Sequence, residues 1–377
     1  MSALDGLRVV IAGAGAVGST LAVRLARVGA RVTLADPAAL GDNASGVAAG
    51  MLAPAFETLL DGAAGGLDLL RRARDLWPPF AASAGLQIDR AGAMAVGSAA
   101  ELDGWEAGLR ALGVAAARLS TAEARRRSPW LSPGLGAVWT IDDWRLDPTV
   151  ALAALEAAGP GMVRARVTGF EGGRATLDSG EALEADALVI ATGWRRSLIA
   201  AAPELTNLTP IKGHILRAPA LDLAGPVVRL GGGYVCPSPG GALIGATMEA
   251  GREDTAIDPA AMALLRALAV RALPAILETP VIALAGVRAS APDGLPLAGP
   301  SSTPGVWLAV GARRNGWLLA PLIAEVVARG LMGKEGCEDG RRFDPGRFVR
   351  DAAPTLRHPP PPPLRGPPPP RRGAGED

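Results

Sequence analysis

The chain is poor in the side chains that most metal, nucleophilic and acid–base enzymes use. Of its 377 residues only two are cysteine, two histidine and one tyrosine. Cys236 and Cys337 lie far apart and form no C-x-x-C pair, which argues against a disulfide scaffold or a cysteine zinc site and suits a reducing compartment. With only His214 and His358 available, a Ser/His hydrolase or a histidine-built metal centre is disfavoured. Lysine is as scarce: Lys212 and Lys334 stand alone among 38 basic residues. Formal net charge is +1, so nothing draws the chain to nucleic acid or to an anionic membrane. No apolar run is long enough to span a bilayer, and no basic segment with a cleavage site precedes the first strand, so a cytoplasmic location is expected. In a chain biased towards Ala, Arg, Gly and Pro, a surviving Tyr234 gains weight as a functional residue.

What the chain has is glycine, 49 residues of it, and 49% apolar content, enough for a large core and more than one subdomain. The most telling glycines are the first. Leu7-Arg-Val-Val-Ile-Ala-Gly13-Ala-Gly15-Ala16-Val17-Gly18 reads as a buried strand, a tight turn and a helix start. Free N–H groups and the positive dipole end of that helix suit a pyrophosphate. A second strand, Arg31–Ala35, ends at Asp36, about 20 residues past the glycines, where an acid can accept from a ribose hydroxyl. Strand, helix and acid together point to an ADP-containing dinucleotide.

Further along, Leu67–Ala84 has helical spacing and Gln87–Ser98 reads as strand. Helices are expected over Ala100–Leu112 and over Thr121–Arg127, the latter with Ser120 and Glu123 as a capping box. Gly136–Ile141 reads as a strand and 149–158 as a helix. Met162–Val167 reads as strand leading into a hairpin about Gly172-Gly173, and Ala187–Gly193 as a buried parallel strand, so the dinucleotide unit is discontinuous. Many short strands from Leu208 to Leu297, broken by a helix at 259–272, suggest an antiparallel sheet. Val306–Val310 is a further strand and Asn315–Gly330 a helix; beyond Arg341 an irregular chain is expected, ending in an extended Pro-rich tail.

Several segments, in order, resemble the D-amino-acid-oxidase-like flavoproteins, most closely the glycine oxidases of thiamine-thiazole biosynthesis. They include Gly13–Gly18, Ala48-Ala-Gly-Met-Leu52, Leu146-Asp-Pro148, Ala191-Thr-Gly193, Pro210-Ile-Lys-Gly213, Tyr234-Val-Cys-Pro237, Ile244–Glu249, Ala285-Gly-Val-Arg288, Asp293-Gly-Leu-Pro296 and Arg314-Asn-Gly-Trp-Leu-Leu-Ala-Pro321. The resemblance implies an α/β protein: a discontinuous Rossmann-like FAD-binding domain (1–80, 150–205 and 285–345) and a substrate domain built on a large antiparallel or mixed β-sheet (81–149 and 206–284). The tail (352–377) lies outside the resemblance and is expected to be disordered from its proline runs. The resemblance also implies FAD, held without a covalent bond because no Cys or His stands near Ala289–Pro292, and a homo-oligomer.

For the cofactor, the resemblance implies contacts from Gly13, Gly15, Ala16, Val17, Gly18, Asp36, Ala44, Ser45, Ala49, Gly50, Met51, Val167, Thr192 and Gly193. It adds the segment Ala312, Arg313, Arg314, Asn315, Gly316, Trp317 and Leu318, where a helix N-terminus would meet the flavin. For the substrate it implies Arg288 as the carboxylate clamp, since guanidinium grips both oxygens in one plane, with Tyr234 as a second anchor and Arg314, Met51 and Met248 around the pocket. Asp142 and Asp143, adjacent in sequence, are not expected to act as a pair. Lys212 and His214 are read as structural and Cys236 as buried and inert. The expected reaction is oxidation of the C–N bond of glycine, sarcosine or a small D-amino acid, with O2 as acceptor and no side-chain base required. Alternatives are a D-amino-acid dehydrogenase passing electrons to a quinone and a flavin-binding subunit of a modifying complex. Two departures stand out: Ala312-Arg313 where the glycine oxidases carry histidine and an aromatic, and Trp317 in place of an aliphatic residue.

Overall fold

The computed structural model describes residues 3–62, 65–334 and 336–350; the expected disordered tail, 352–377, lies outside them. Its first sheet has six strands in the order Leu297–Pro300, Val306–Val310, Ala187–Ile190, Arg8–Ala12, Arg31–Ala35, Met162–Val163. All neighbours are parallel except the Leu297–Pro300 edge, which runs antiparallel. Val9 and Ile11 pack on one face with the helices Ala16–Arg27 and Gly316–Leu331, while Val10 and Ala12 face Leu198, Leu205 and Leu208. Burial on both faces explains why this strand is a continuous apolar run rather than an alternating one.

The second sheet has nine strands and is mixed: Val227–Leu230 runs parallel to Ala93–Gly97 amid otherwise antiparallel pairs. Its longest pairing joins Thr209–Ala218 to Ile282–Ser290. The start of the segment expected in the cofactor unit (285 onward) therefore lies in the large sheet, because nine successive residues of Ile282–Ser290 find register partners there. The same strand then hands the chain back: Arg313 N–H donates to Ala289 O, and Ser290 bridges Ala312.

Local chemistry moves several other boundaries. The helical stretch 67–84 is two helices, Gly66–Asp75 and Trp77–Ala84, since Pro78 and Pro79 lack an N–H and fit only a first turn. The strand expected over 87–98 is confined to Ala93–Gly97, with Asp89 in an isolated bridge to Arg145. Met162–Val163 is brief, and Val167 opens a separate hairpin that turns at Gly172-Gly173, both at positive φ. Ser120 and Glu123 form the expected capping box. Between Arg341 and Arg350, where an irregular chain is expected, there are helical turns instead: Glu338–Phe343 and Arg347–Arg350 are helical, and Arg347 pairs with Asp293 at 2.8 Å.

Candidate active site

A cavity of about 940 Å³ runs between the two sheets, from Asp36 and Val167 at one end to Arg288 and Trp317 at the other. Its wall begins at the first βα turn. Gly13 has φ +107°, and a Cβ there would lie 2.5 Å from Ala191 O. A Cβ on Gly15 would lie 3.0 Å from Ser45 Oγ. Ser45 Oγ accepts from Ala16 N–H at 2.9 Å, so its hydroxyl caps the helix start. Asp36 folds back onto the turn, accepting from Ala14 N–H at 2.7 Å and from Ala38 N–H at 2.9 Å.

Most residues expected at the cofactor do border this cavity: Gly13, Gly15, Ala16, Val17, Asp36, Ala44, Ser45, Val167, Thr192, Gly193, Ala312, Arg313, Arg314, Gly316 and Trp317. Gly18 and Leu318 do not. A Cβ on Gly18 would sit 1.9 Å from Gly13 O, so this glycine serves contact between helix and turn. Leu318 is fully buried in the core, where its carbonyl and that of Trp317 face Trp77 Nε1 at 3.3 and 3.1 Å. Ala49, Gly50, Met51 and Asn315 border a smaller adjoining cavity of about 60 Å³ instead. Gly50 is required for a different reason: at φ +69° a Cβ would lie 2.1 Å from Leu146 O. Trp317 donates its indole N–H to Ser45 O at 3.0 Å and so ties the last helix to the cavity wall.

The small cavity collects the expected substrate residues: Tyr234, Arg288, Arg314, Met51 and Met248 all border it, and Arg288 and Arg314 border the large one too. Arg288 touches only Thr247 O at 3.4 Å and Met248 Sδ at 3.5 Å, and no carboxylate among the described residues comes within ion-pair distance. Burial pushes its pKa down, and the charge of Arg314 adds to that. Burial pushes the Tyr234 phenol up to about 12, against the pull of the Arg288 charge, so the hydroxyl keeps its proton and can donate.

Sequence reasoning missed Glu57 and Arg229. Glu57, on the helix Pro54–Asp61, is 3% exposed and borders the small cavity. Its Oε1 accepts from Arg229 Nη2 at 2.9 Å, and Arg314 Nε lies 3.2 Å from its Oε2. Burial works against its ionisation, but Arg314 and Arg229 outweigh that and hold its pKa below the usual value. Arg314 therefore spends its side chain on Glu57. Asp143 supports the same helix, accepting from Ala55 and Phe56 N–H at 2.7 and 3.0 Å, whereas Asp142 turns to Arg71 and Arg74. The two adjacent acids do point apart.

Lys212 is fully buried, bonded to Asp254 at 2.6 Å and to Ala256 O at 2.5 Å. His214 accepts from Asp258 N–H on Nε2 and meets Glu249 at 2.9 Å through Nδ1. Both pin the segment 254–258, of which Asp254 and Thr255 border the large cavity. Burial raises the Cys236 thiol to about 11, leaving it unreactive.

A Gly-rich strand–turn–helix leading into a long cavity that ends at an arginine without a counter-ion describes a dinucleotide-dependent enzyme. The chain belongs to the FAD dependent oxidoreductase family (DAO), which residues 8–329 match. It is 28% identical to the glycine oxidase of Pseudomonas putida over 90% of this chain and 98% of that protein. It is 34% identical to a Rhizobium etli oxidoreductase named for thiamine biosynthesis, ThiO, over 89% of this chain and 99% of that protein. The crystal structure of glycine oxidase from Geobacillus kaustophilus superposes with a TM-score of 0.76 at 27% identity, covering 90% of this chain and 99% of that one. The cofactor is thus FAD. The residues fit it: Gly13 and Gly15 border the cavity with bare backbone at the start of a helix, and Asp36 borders it from the end of the second strand. Among the described residues, no helix is long and apolar enough to cross a membrane.

Proposed function

We propose that this enzyme oxidises the C–N bond of a small amino acid, with glycine the first candidate, sarcosine and small D-amino acids next, and O2 as electron acceptor. Bound FAD supplies the hydride acceptor. The observation that carries the reading is Arg288: a half-buried guanidinium with no carboxylate within ion-pair distance among the described residues, at the junction of the two cavities. A substrate carboxylate can take both of its forward N–H groups, while Tyr234 donates from the side. Held at that end, the amino acid, its amine neutral, can turn its α-carbon towards the large cavity, which is the orientation that hydride transfer requires. Met51 and Met248 leave little room beyond, in keeping with a small side chain. No residue named as lining either cavity is a cysteine or histidine, which is in keeping with a flavin held without a covalent bond. The relative named glycine oxidase favours glycine as substrate, and the one named ThiO favours a place in thiamine biosynthesis.

The test is to mix the yellow protein anaerobically with glycine, sarcosine, D-alanine and D-proline, and then admit air. Bleaching by one of them followed by peroxide supports the oxidase. Bleaching without peroxide moves the enzyme to a dehydrogenase, and no bleaching by any of them defeats the amino-acid reading.

A further inference from the structure

Within the small cavity one oxygen is left over. Glu57 Oε1 accepts from Arg229, but Oε2 is buried and makes no hydrogen bond, since Arg314 Nε, though 3.2 Å away, is out of line for one. A buried carboxylate oxygen without a donor is costly, and in native proteins such an atom calls for an explanation. Glu57 borders a cavity that Arg288 and Tyr234 border too, and its Oε2 is kept from that space only by the Arg314 side chain packed 3.2 Å away. We infer that Glu57 is the amine-binding residue of the site, its Oε2 accepting an N–H of the substrate while Arg288 and Tyr234 hold the carboxylate. This rests on the amino-acid reading above and deepens it.

The pairing with two arginines suits the task. A lone buried carboxylate would hold the substrate amine as ammonium, the form that cannot release hydride. Arg229 and Arg314 draw down the field of Glu57, so it can orient an N–H without locking the proton on. The same pairing holds the Glu57 pKa below its usual value, so the carboxylate accepts a hydrogen bond but is a weak base. A site built to hold a donor also rejects carboxylates that lack one, because the acceptor then stays unpaired.

Acetate and hydroxyacetate differ by one hydroxyl donor and little in size. Each is titrated anaerobically into the flavin-loaded protein, wild type and Glu57→Gln, with the flavin absorption band as readout, and the KM for glycine is measured alongside. Wild type should bind hydroxyacetate about fivefold or more tighter than acetate, and Glu57→Gln should shrink that ratio, raise the glycine KM about tenfold and leave acetate unchanged. Equal affinities in wild type overturn the inference. So does a loss in Glu57→Gln that falls equally on acetate, since that assigns Glu57 a structural role through its arginines. If Glu57→Gln does not retain flavin, the wild-type ratio alone decides. A wild-type flavin that no amino acid reduces defeats the amino-acid reading itself, a different outcome from either.

Discussion

Among the described residues Arg288 has neighbours that neither neutralise nor satisfy it, a carbonyl and a thioether. Its fork geometry can be tested apart from its charge. Arg288→Lys keeps a cation but cannot reach both oxygens of a carboxylate, and a charge-assisted hydrogen bond is worth about 1.5–3 kcal/mol. The glycine KM should rise about tenfold or more while the flavin spectrum stays that of bound cofactor; an unchanged KM removes the clamp. This arginine was legible only through its neighbours in sequence, because arginine is common in the chain. Glu57 and Arg229 left a fainter signal: each is one charge inside an otherwise apolar run, Ala53-Pro-Ala-Phe-Glu57-Thr-Leu-Leu60 and Val227-Val-Arg229-Leu230. A charge in such a run is buried and so needs a partner. The partners lie 172 positions apart, and no periodicity links them.

At the scale of elements, the helix Pro54–Asp61 owes its place to Asp143. Burial raises that carboxyl to about 6. An acid raised in the fold stabilises it most when neutral, so its contribution is complete below about pH 3.8 and is lost as pH rises through about 6. Asp143→Asn cannot titrate. Its Tm should therefore gain on that of wild type from pH 4 to pH 6, on top of a constant loss from one missing backbone hydrogen bond. A Tm difference that stays flat across that range counts against the raised pKa. The last helix offers a second check: Trp317→Leu removes the indole bond to Ser45 O and empties part of the core beside Trp77, and should cost about 2 kcal/mol or more, seen as a lower Tm and faster flavin loss on dilution. Elements set by local chemistry were readable, as in the Ser120–Glu123 box and the glycine turn. Elements set by distant pairing were not: Met162–Val163 stops where its partner Arg31–Ala35 ends, and nothing in its own residues marks that point.

The molecule as a whole is arranged around a cleft between two sheets, and the cleft is sized for FAD. Anything bound there and not to the unfolded chain stabilises the fold, by about 2.7 kcal/mol at a hundredfold excess over Kd. Adding FAD to stripped protein should raise Tm by several degrees, in step with the logarithm of its concentration, and NAD at equal concentration should not. The two-unit architecture was legible because the glycine turn and the buried run Ala187–Ile190 announce one sheet and the short strands announce the other. The parallel seam between Val227–Leu230 and Ala93–Gly97 was not, since it joins segments separated by a whole excursion through the first unit.

The opposite excursion, through the second sheet, bears on synthesis. Ala187–Ile190 stands at the middle of the first sheet, and its outer neighbour, Val306–Val310, is translated more than a hundred residues later. Until then a nascent chain carries an uncovered strand edge lined by Leu188 and Ile190, a template for mispairing between polysomes. A release before residue 306 should yield insoluble product, whereas one at 350 should not, and the ribosome must deliver most of the message before the flavin has a home.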